Sequence, residues 1–167
     1  MKKINLSLIM FLVFCLSIGF SSQVIAQTLS FTGAKKYVQN YLRKGESLKY
    51  SDELKPLYKY LSTDLYDTLN SIPYDSFTEA SPPYRFAMMT AGVRKRISCS
   101  IDKIDQLGKN RYEVNYTVKE RLHRGTGTLH FVAIVILDSG SPAIDAVYVL
   151  MNEQRISVVE TIREKIW

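Results

Sequence analysis

Apolar positions run through this chain in two rhythms, and the rhythm changes near residue 94. Before that point they recur every three to four residues. In "TGAKKYVQNYLRKG", Ala34, Tyr37, Tyr41 and Leu42 share one stripe while Lys35, Lys36, Gln39 and Arg43 lie elsewhere. That spacing predicts an amphipathic helix, with Gly45 as its stop. "SDELKPLYKYLSTDLYDTLNSI" repeats the pattern through Leu54, Leu57, Tyr58, Leu61, Leu65, Leu69 and Ile72. Pro56 suits only a first turn, and Ser62 or Thr63 can cap a fresh helix, which would split the segment in two. Ser81 followed by Pro82 marks a third start, giving a short helix over "YRFAMMTA".

From Arg94 onward the period is two. "RKRISCSID" sets Ile97, Cys99 and Ile101 against Ser98, Ser100 and Asp102. "RYEVNYTVKERLH" puts Tyr112, Val114, Tyr116, Val118 and Leu122 on one face and Arg111, Glu113, Asn115, Thr117, Lys119, Arg121 and His123 on the other. "QLGKN" between the two reads as a hairpin turn. "TLHFVAIVIL" is apolar on both faces, as a central strand or one meeting a partner should be. "AIDAVYVLM" follows the break at "DSGSP". The last run, "RISVVETIREKIW", fits either period, and its Ile, Val and Thr content selects a strand. Helices followed by a meander predict an α+β domain: two or three N-terminal helices packed on a curved antiparallel sheet of four to five strands.

The chain has 167 residues, and its first 26 stand apart from these patterns. "MKK", the apolar "INLSLIMFLVFCLSIGF" and the small-residue ending "SSQVIA" have the layout of a bacterial signal peptide, with cleavage expected after Ala26. A retained anchor is the alternative, since the apolar run nearly spans a bilayer. Phe14 before Cys15 rules out lipid attachment there. The expectation is therefore a secreted or periplasmic protein, residues 27–167, forming one domain without a stable membrane anchor. Cys99 would be its only cysteine, so no internal disulfide is possible. Lys2 and Lys3 are the only charges of the leader, and losing them lowers the formal net charge from +6 to +4. That mild excess, without interleaved basic and aromatic motifs, excludes nucleic acid as the expected partner.

This order of elements, with "LKPLYKYLSTDLYDTL" among the helices and "YVLMNEQRISVVETI" closing the meander, resembles the nuclear transport factor-like, or cystatin-like, superfamily. The resemblance covers most of residues 27–167 and rests on layout. It implies a curved sheet wrapped around helices as a cone, often with a pocket at the wide end. Functions in that superfamily range from isomerases and dehydratases to binding modules, immunity proteins and dimerisation domains, so the fold alone selects none of them.

Candidate chemistry is sparse. A turn at Thr126 and Gly127 would set His123 opposite His130, and Leu122 opposite Phe131. No third ligand stands nearby, and Lys119 and Arg121 repel a cation, so no metal and no cofactor is assigned. "GTG" lacks the lysine and following helix of a phosphate loop. Cys99, between Ile97 and Ile101, is expected as a buried thiol, and "VRKR" as a solvated strand edge. The more informative residues are carboxylates on apolar faces, Glu120 and Glu160 (with Glu164 beside it), together with possible phenol donors at Tyr37, Tyr41, Tyr116 and Tyr148. An apolar setting would raise such a carboxylate's pKa and suit it to acid–base work; isomerases of the resembling superfamily use an acidic base with tyrosine or acid donors. No complete catalytic set is visible, however. The expected function is a secreted, non-enzymatic ligand-binding or protein-interaction module. The alternative is a small-molecule isomerase or lyase using Glu120 or Glu160 with a tyrosine. The doubly apolar strand around 131–137 is the expected contact of any homodimer.

Overall fold

The computed structural model describes residues 28–48, 53–93, 96–123 and 125–165. The expected leader segment and its expected cleavage point lie outside them, as do Arg94, Lys95 and Arg124. Among the described residues no helix is long and apolar enough to cross a membrane.

Four helical segments precede the sheet: α1 (Phe31–Ser47), the single turn α2 (Lys55–Tyr58), α3 (Thr63–Asn70) and α4 (Pro82–Ala91). Ser62 does split the second segment. Its Oγ accepts from the Leu65 N–H at 3.1 Å, capping α3. Pro82 opens α4, as its fixed φ favours. Gly45 is no stop. It lies inside α1 against α4, where a Cβ would come within 2.8 Å of the Ala91 Cβ.

Five antiparallel strands follow, β1 (Arg96–Gly108), β2 (Arg111–Leu122), β3 (Gly125–Asp138), β4 (Ser141–Met151) and β5 (Gln154–Ser157), in spatial order β1-β2-β3-β4-β5. The fold is thus α+β, with an open curved sheet. The chain then ends in a helix, α5 (Val158–Arg163), where a strand was expected. Ser157 caps it, and Ser157-Val-Val-Glu160 has the serine and glutamate of a capping box. Val158 and Ile162 are buried in the core. That burial overrides the β-branched content that argued for a strand.

One face of the sheet carries the helices. Tyr112, Val114, Tyr116 and Val118 of β2, Phe131, Ala133 and Val135 of β3, and Val147 and Val149 of β4 join Val38, Tyr41, Leu42, Leu57, Leu69, Phe86 and Ile162 in one core. The joint between α2 and α3 is fastened to β4. Ser62 N–H donates to the Ile144 carbonyl and Ile144 N–H to the Tyr60 carbonyl, both at 2.8 Å. Here β4 carries one extra residue, Asp145, between Ile144 (opposite Val135) and Ala146 (opposite Ile134). Such a bulge bends a strand and re-aims its side chain. Asp145 accepts from the Ser62 hydroxyl at 3.1 Å, so the bulge also holds the cap residue.

The β2–β3 register differs from the expected one. Thr117 pairs with His130 and Leu122 with Gly125, so the strands join between Leu122 and Gly125 and not at Thr126–Gly127. This register sets Tyr112, Val114 and Tyr116 opposite Val135, Ala133 and Phe131. The expected one would have spent Tyr112 and Val114 on Ser141 and Ser139. Both keep the same faces inward, and the deciding difference is how much apolar surface meets apolar surface.

β1 corrects two further expectations. Cys99 is exposed, not buried, because β1 is an edge strand whose middle the helices leave largely uncovered. Arg96 is the reverse, 4% exposed where a solvated charge was expected. It donates through Nη1 to the Leu42 carbonyl at 2.7 Å and the Ala91 carbonyl at 3.2 Å, and through Nε to Glu46 at 2.8 Å. One guanidinium therefore adds a donor to a carbonyl in the C-terminal part of α1 and satisfies the last carbonyl of α4, which has no intrahelical partner.

Candidate functional site

Buried aromatic side chains pack the helix-facing side of β2 and β3. Tyr116 stacks on Phe131 with centroids 5.2 Å apart, and Tyr41 lies edge-on to Tyr60. The buried phenols of Tyr41 and Tyr116 meet at one residue. Tyr41 Oη is 2.5 Å from Thr90 Oγ1, and Tyr116 Oη donates to the Thr90 carbonyl at 2.9 Å. Burial pushes both hydroxyls well above the usual tyrosine range. Tyr37 is half-buried on α1, donates weakly to the Lys59 carbonyl at 3.4 Å, and is pushed up to about 12, chiefly by burial.

The remaining candidates lie elsewhere. Glu120 shares the inward face of β2 with Tyr116 but stands four residues on, about 13 Å along a strand. It is half-buried, opposite Gly127 on β3 and Arg96 on β1. Glu160 is exposed in the first turn of α5, where its charge suits the helix N-terminus. Tyr148 is half-buried on the other face of the sheet, opposite Val132 and Ser157. The structure thus gathers Tyr41 and Tyr116 at Thr90 and leaves Glu160 and Tyr148 apart from them.

That other face holds the residues sequence reading passed over. Glu113 on β2 receives both Nη atoms of Arg155 on β5 at 2.7 Å each. This is the two-pronged geometry that fits guanidinium to carboxylate. β4 and β3 lie between those strands, so the pair reaches across them. Beneath this crossing, Val132 is 0% and Ile134 4% exposed although both point away from the helices. Asn115 adds a bond to Glu113 at 3.2 Å. The Glu113 carboxylate in turn raises the Arg155 pKa.

A second network runs across β1, β2 and β3. Thr117 Oγ1 donates to Asp102 Oδ2 at 2.5 Å and lies 2.9 Å from His130 Nδ1. Ser100 donates to the other Asp102 oxygen at 2.8 Å. A hydroxyl has one proton, and here it goes to the carboxylate, so Nδ1 must be the donor to Thr117. His130 is exposed, whereas His123 lies at the turn beyond β2, so the two histidines do not face each other. Among the described residues no three His, Cys, Asp or Glu gather where they could hold a metal ion. The exposed Cys99 borders a separate open cleft of about 220 Å3 between α1 and β1, lined also by Gln39, Leu42, Arg43, Ser100 and Ile101.

The signal for the two networks was partly present. The polar side of β2 alternates Arg111, Glu113, Asn115 and Thr117, but only the meander order shows that Arg155 and His130 come to it. An α+β domain with one filled face and one cross-linked polar face is the class these observations define. Comparison with protein-family models, curated proteins and solved structures finds no match to this chain.

Proposed function

We propose that the chain is a secreted, non-enzymatic protein-interaction module of the nuclear transport factor-like kind, and that it binds through the outer face of its sheet around Tyr148, Arg155 and His130. One observation carries this reading. The outer face is held in a fixed arrangement by its own bonds, Arg155 to Glu113 and His130 to Thr117 to Asp102, while the helix-facing side is filled by Tyr41, Phe86, Tyr116 and Phe131. Preordered side chains lose little freedom on binding, and tyrosine and arginine are the residue types that dominate interfaces. A second copy of the chain is one such partner. It would meet the outer face and not the backbone of β3, whose two edges are taken by β2 and β4.

A photo-crosslinking side chain at Tyr148, compared with one at Lys36 on the exposed side of α1, tests the reading in the secreting host. We expect one discrete adduct from position 148 that is lost on Arg155→Ala, with position 36 giving none. Equal labelling from both positions would sink the proposal. So would native mass spectrometry showing the secreted chain loaded with a stoichiometric small organic molecule that competes with the adduct.

A further inference from the structure

The sheet has two edges, and they are finished differently. On one side β5 is 4 residues long and runs straight into α5. The part of β4 that β5 does not reach is occupied at Ile144, which exchanges backbone hydrogen bonds with Tyr60 and Ser62. On the other side β1 runs for 13 residues, at a position where natural sheets keep strands short to avoid pairing with other chains. Among the described residues, its one backbone–backbone hydrogen bond outside the ladder to β2 goes from Arg96 N–H to the Gly92 carbonyl. Apolar side chains on this edge are also left short of cover. Cys99, Ile101 and Ile104 face the helix side, opposite Val118, Tyr116 and Val114, yet Cys99 is exposed and both isoleucines are only half-buried.

A bulge gives β1 a symmetry that plain alternation would not. Asp102 is an extra residue between Ile101, opposite Tyr116, and Lys103, opposite Asn115. Helix-facing positions are therefore Cys99 and Ile101 before it, but Ile104 and Gln106 after it. An antiparallel copy related by a two-fold axis between Asp102 and Lys103 matches this pattern face for face. Ile101 then falls opposite Ile104 of the copy, and Cys99 opposite Gln106, all on the helix side. Asp102 falls opposite Lys103 twice about the axis, so opposite charges meet at both contacts. An axis on Asp102 itself would set Ile101 against Lys103 and mismatch the faces. An axis between Ile101 and Asp102 keeps the faces but sets Lys103 against Ser100 and Ile101 against Asp102. Charges that discourage a foreign strand thus suit this strand paired with itself.

We infer that a second copy of this chain adds to the β1 edge, antiparallel, with the two-fold axis between Asp102 and Lys103. Two five-stranded sheets become one, and the open backbone groups of each edge serve the other. Ile101 and Ile104 of both copies cover one another beyond the reach of the helices. Lys103, which now pairs with Asp105 of its own chain at 2.8 Å, sits between that carboxylate and Asp102 of the copy. Tyr148 on β4 and Arg155 on β5 lie at the opposite side of the sheet and stay free in both copies. The failure of this inference and the failure of the outer-face reading are therefore separate results.

The test uses the chain from a secreting host, residues 27–167, in which Cys99 is the only cysteine, so one added thiol reports the register. Sedimentation velocity at concentrations up to about 0.1 mM should show a monomer–dimer equilibrium. On mild oxidation Gln106→Cys should give a covalent dimer whose peptide map joins Cys99 of one copy to position 106 of the other. Opposed residues lie about 4.5–5.5 Å apart at Cα, within disulfide reach, whereas the two positions along one strand are more than about 20 Å apart. Ile104→Cys should give little bridging, because that position faces Ile101. Lys103→Glu changes an exposed side chain, sets like charges at both contacts and should weaken dimerisation about tenfold. A chain that stays monomeric throughout the range overturns the inference. So does a dimer in which position 106 fails to bridge, or position 104 bridges equally well, since the copy then sits in another register or on another surface. Bridging of position 106 to a different secreted protein would assign the edge to a foreign strand and would overturn it too. Sedimentation of the unaltered chain decides the first point without relying on any variant's folding.

Discussion

Arg96 joins the two halves of the chain directly. It opens the sheet, yet its bonds go to Leu42, Glu46 and Ala91 in the helices. Replacing it with methionine keeps most of the apolar stem and removes every donor. The Ala91 carbonyl then loses its donor, the Leu42 carbonyl loses its second one and Glu46 loses its cation, and we expect a loss of about 2–4 kcal/mol in urea unfolding. Glu46→Gln should cost less than half as much, since Glu46 is half-exposed and its partner keeps both carbonyls. Equal losses would mean the charge pair, not the carbonyl bonds, is what matters. At this scale the sequence misleads in an instructive way. Arg96 and Cys99 each have the expected neighbours in sequence, but their burial is decided by where the helices stop covering β1. Alternation identifies a face; it does not say how far along the strand that face is covered.

Helices and strands were largely legible, their junctions less so. The stripe of α1, the cap at Ser62 and the start at Pro82 follow from local rules that tertiary packing did not override. Two elements needed more. The capping pattern at Ser157 and Glu160 was present in the sequence but outweighed by β-branched composition. The β2–β3 register could slide by an even number of residues without turning any apolar side chain outward, so face patterning alone could not fix it. Gly45 shows the same limit for helices, because its role depends on α4, forty-odd residues away. Gly45→Ala improves helix propensity locally but drives a methyl group into Ala91. We expect a net destabilisation of about 1–3 kcal/mol, the usual cost of overpacking, read from the thermal midpoint. A raised midpoint would show that α1 and α4 can part at no cost.

For the whole molecule, acid should be more damaging than its modest net charge suggests. Three carboxylates have lowered pKa values, and two of them, Asp138 and Glu79, tie separate segments together. Asp138, at the end of β3, accepts from the Thr63 backbone N–H at 2.9 Å and from the Thr63 hydroxyl. Asp75 is held down chiefly by the Phe77 N–H, and Glu79 by Lys165. A pKa lower in the folded than in the unfolded chain means stability that is present above the unfolded value, about 4, and lost as pH falls through the folded one. The urea midpoint should therefore be level from pH 7 to about 5 and decline below about 4. Asp138→Asn should lower stability at pH 7 and flatten part of that decline. A midpoint that rises on acidification would contradict the whole assignment.

Because the strands lie side by side in the order they occur in the chain, each β-hairpin can close on its predecessor as soon as it is made. The helices touch one another, but the sheet that covers them comes later. The stripe of α1 is buried against β1, β2, β3 and β4, all of which leave the ribosome after it. Val38, Tyr41, Leu42, Leu57 and Leu69 thus remain uncovered until most of the sheet has emerged, a hazard typical of partly made chains.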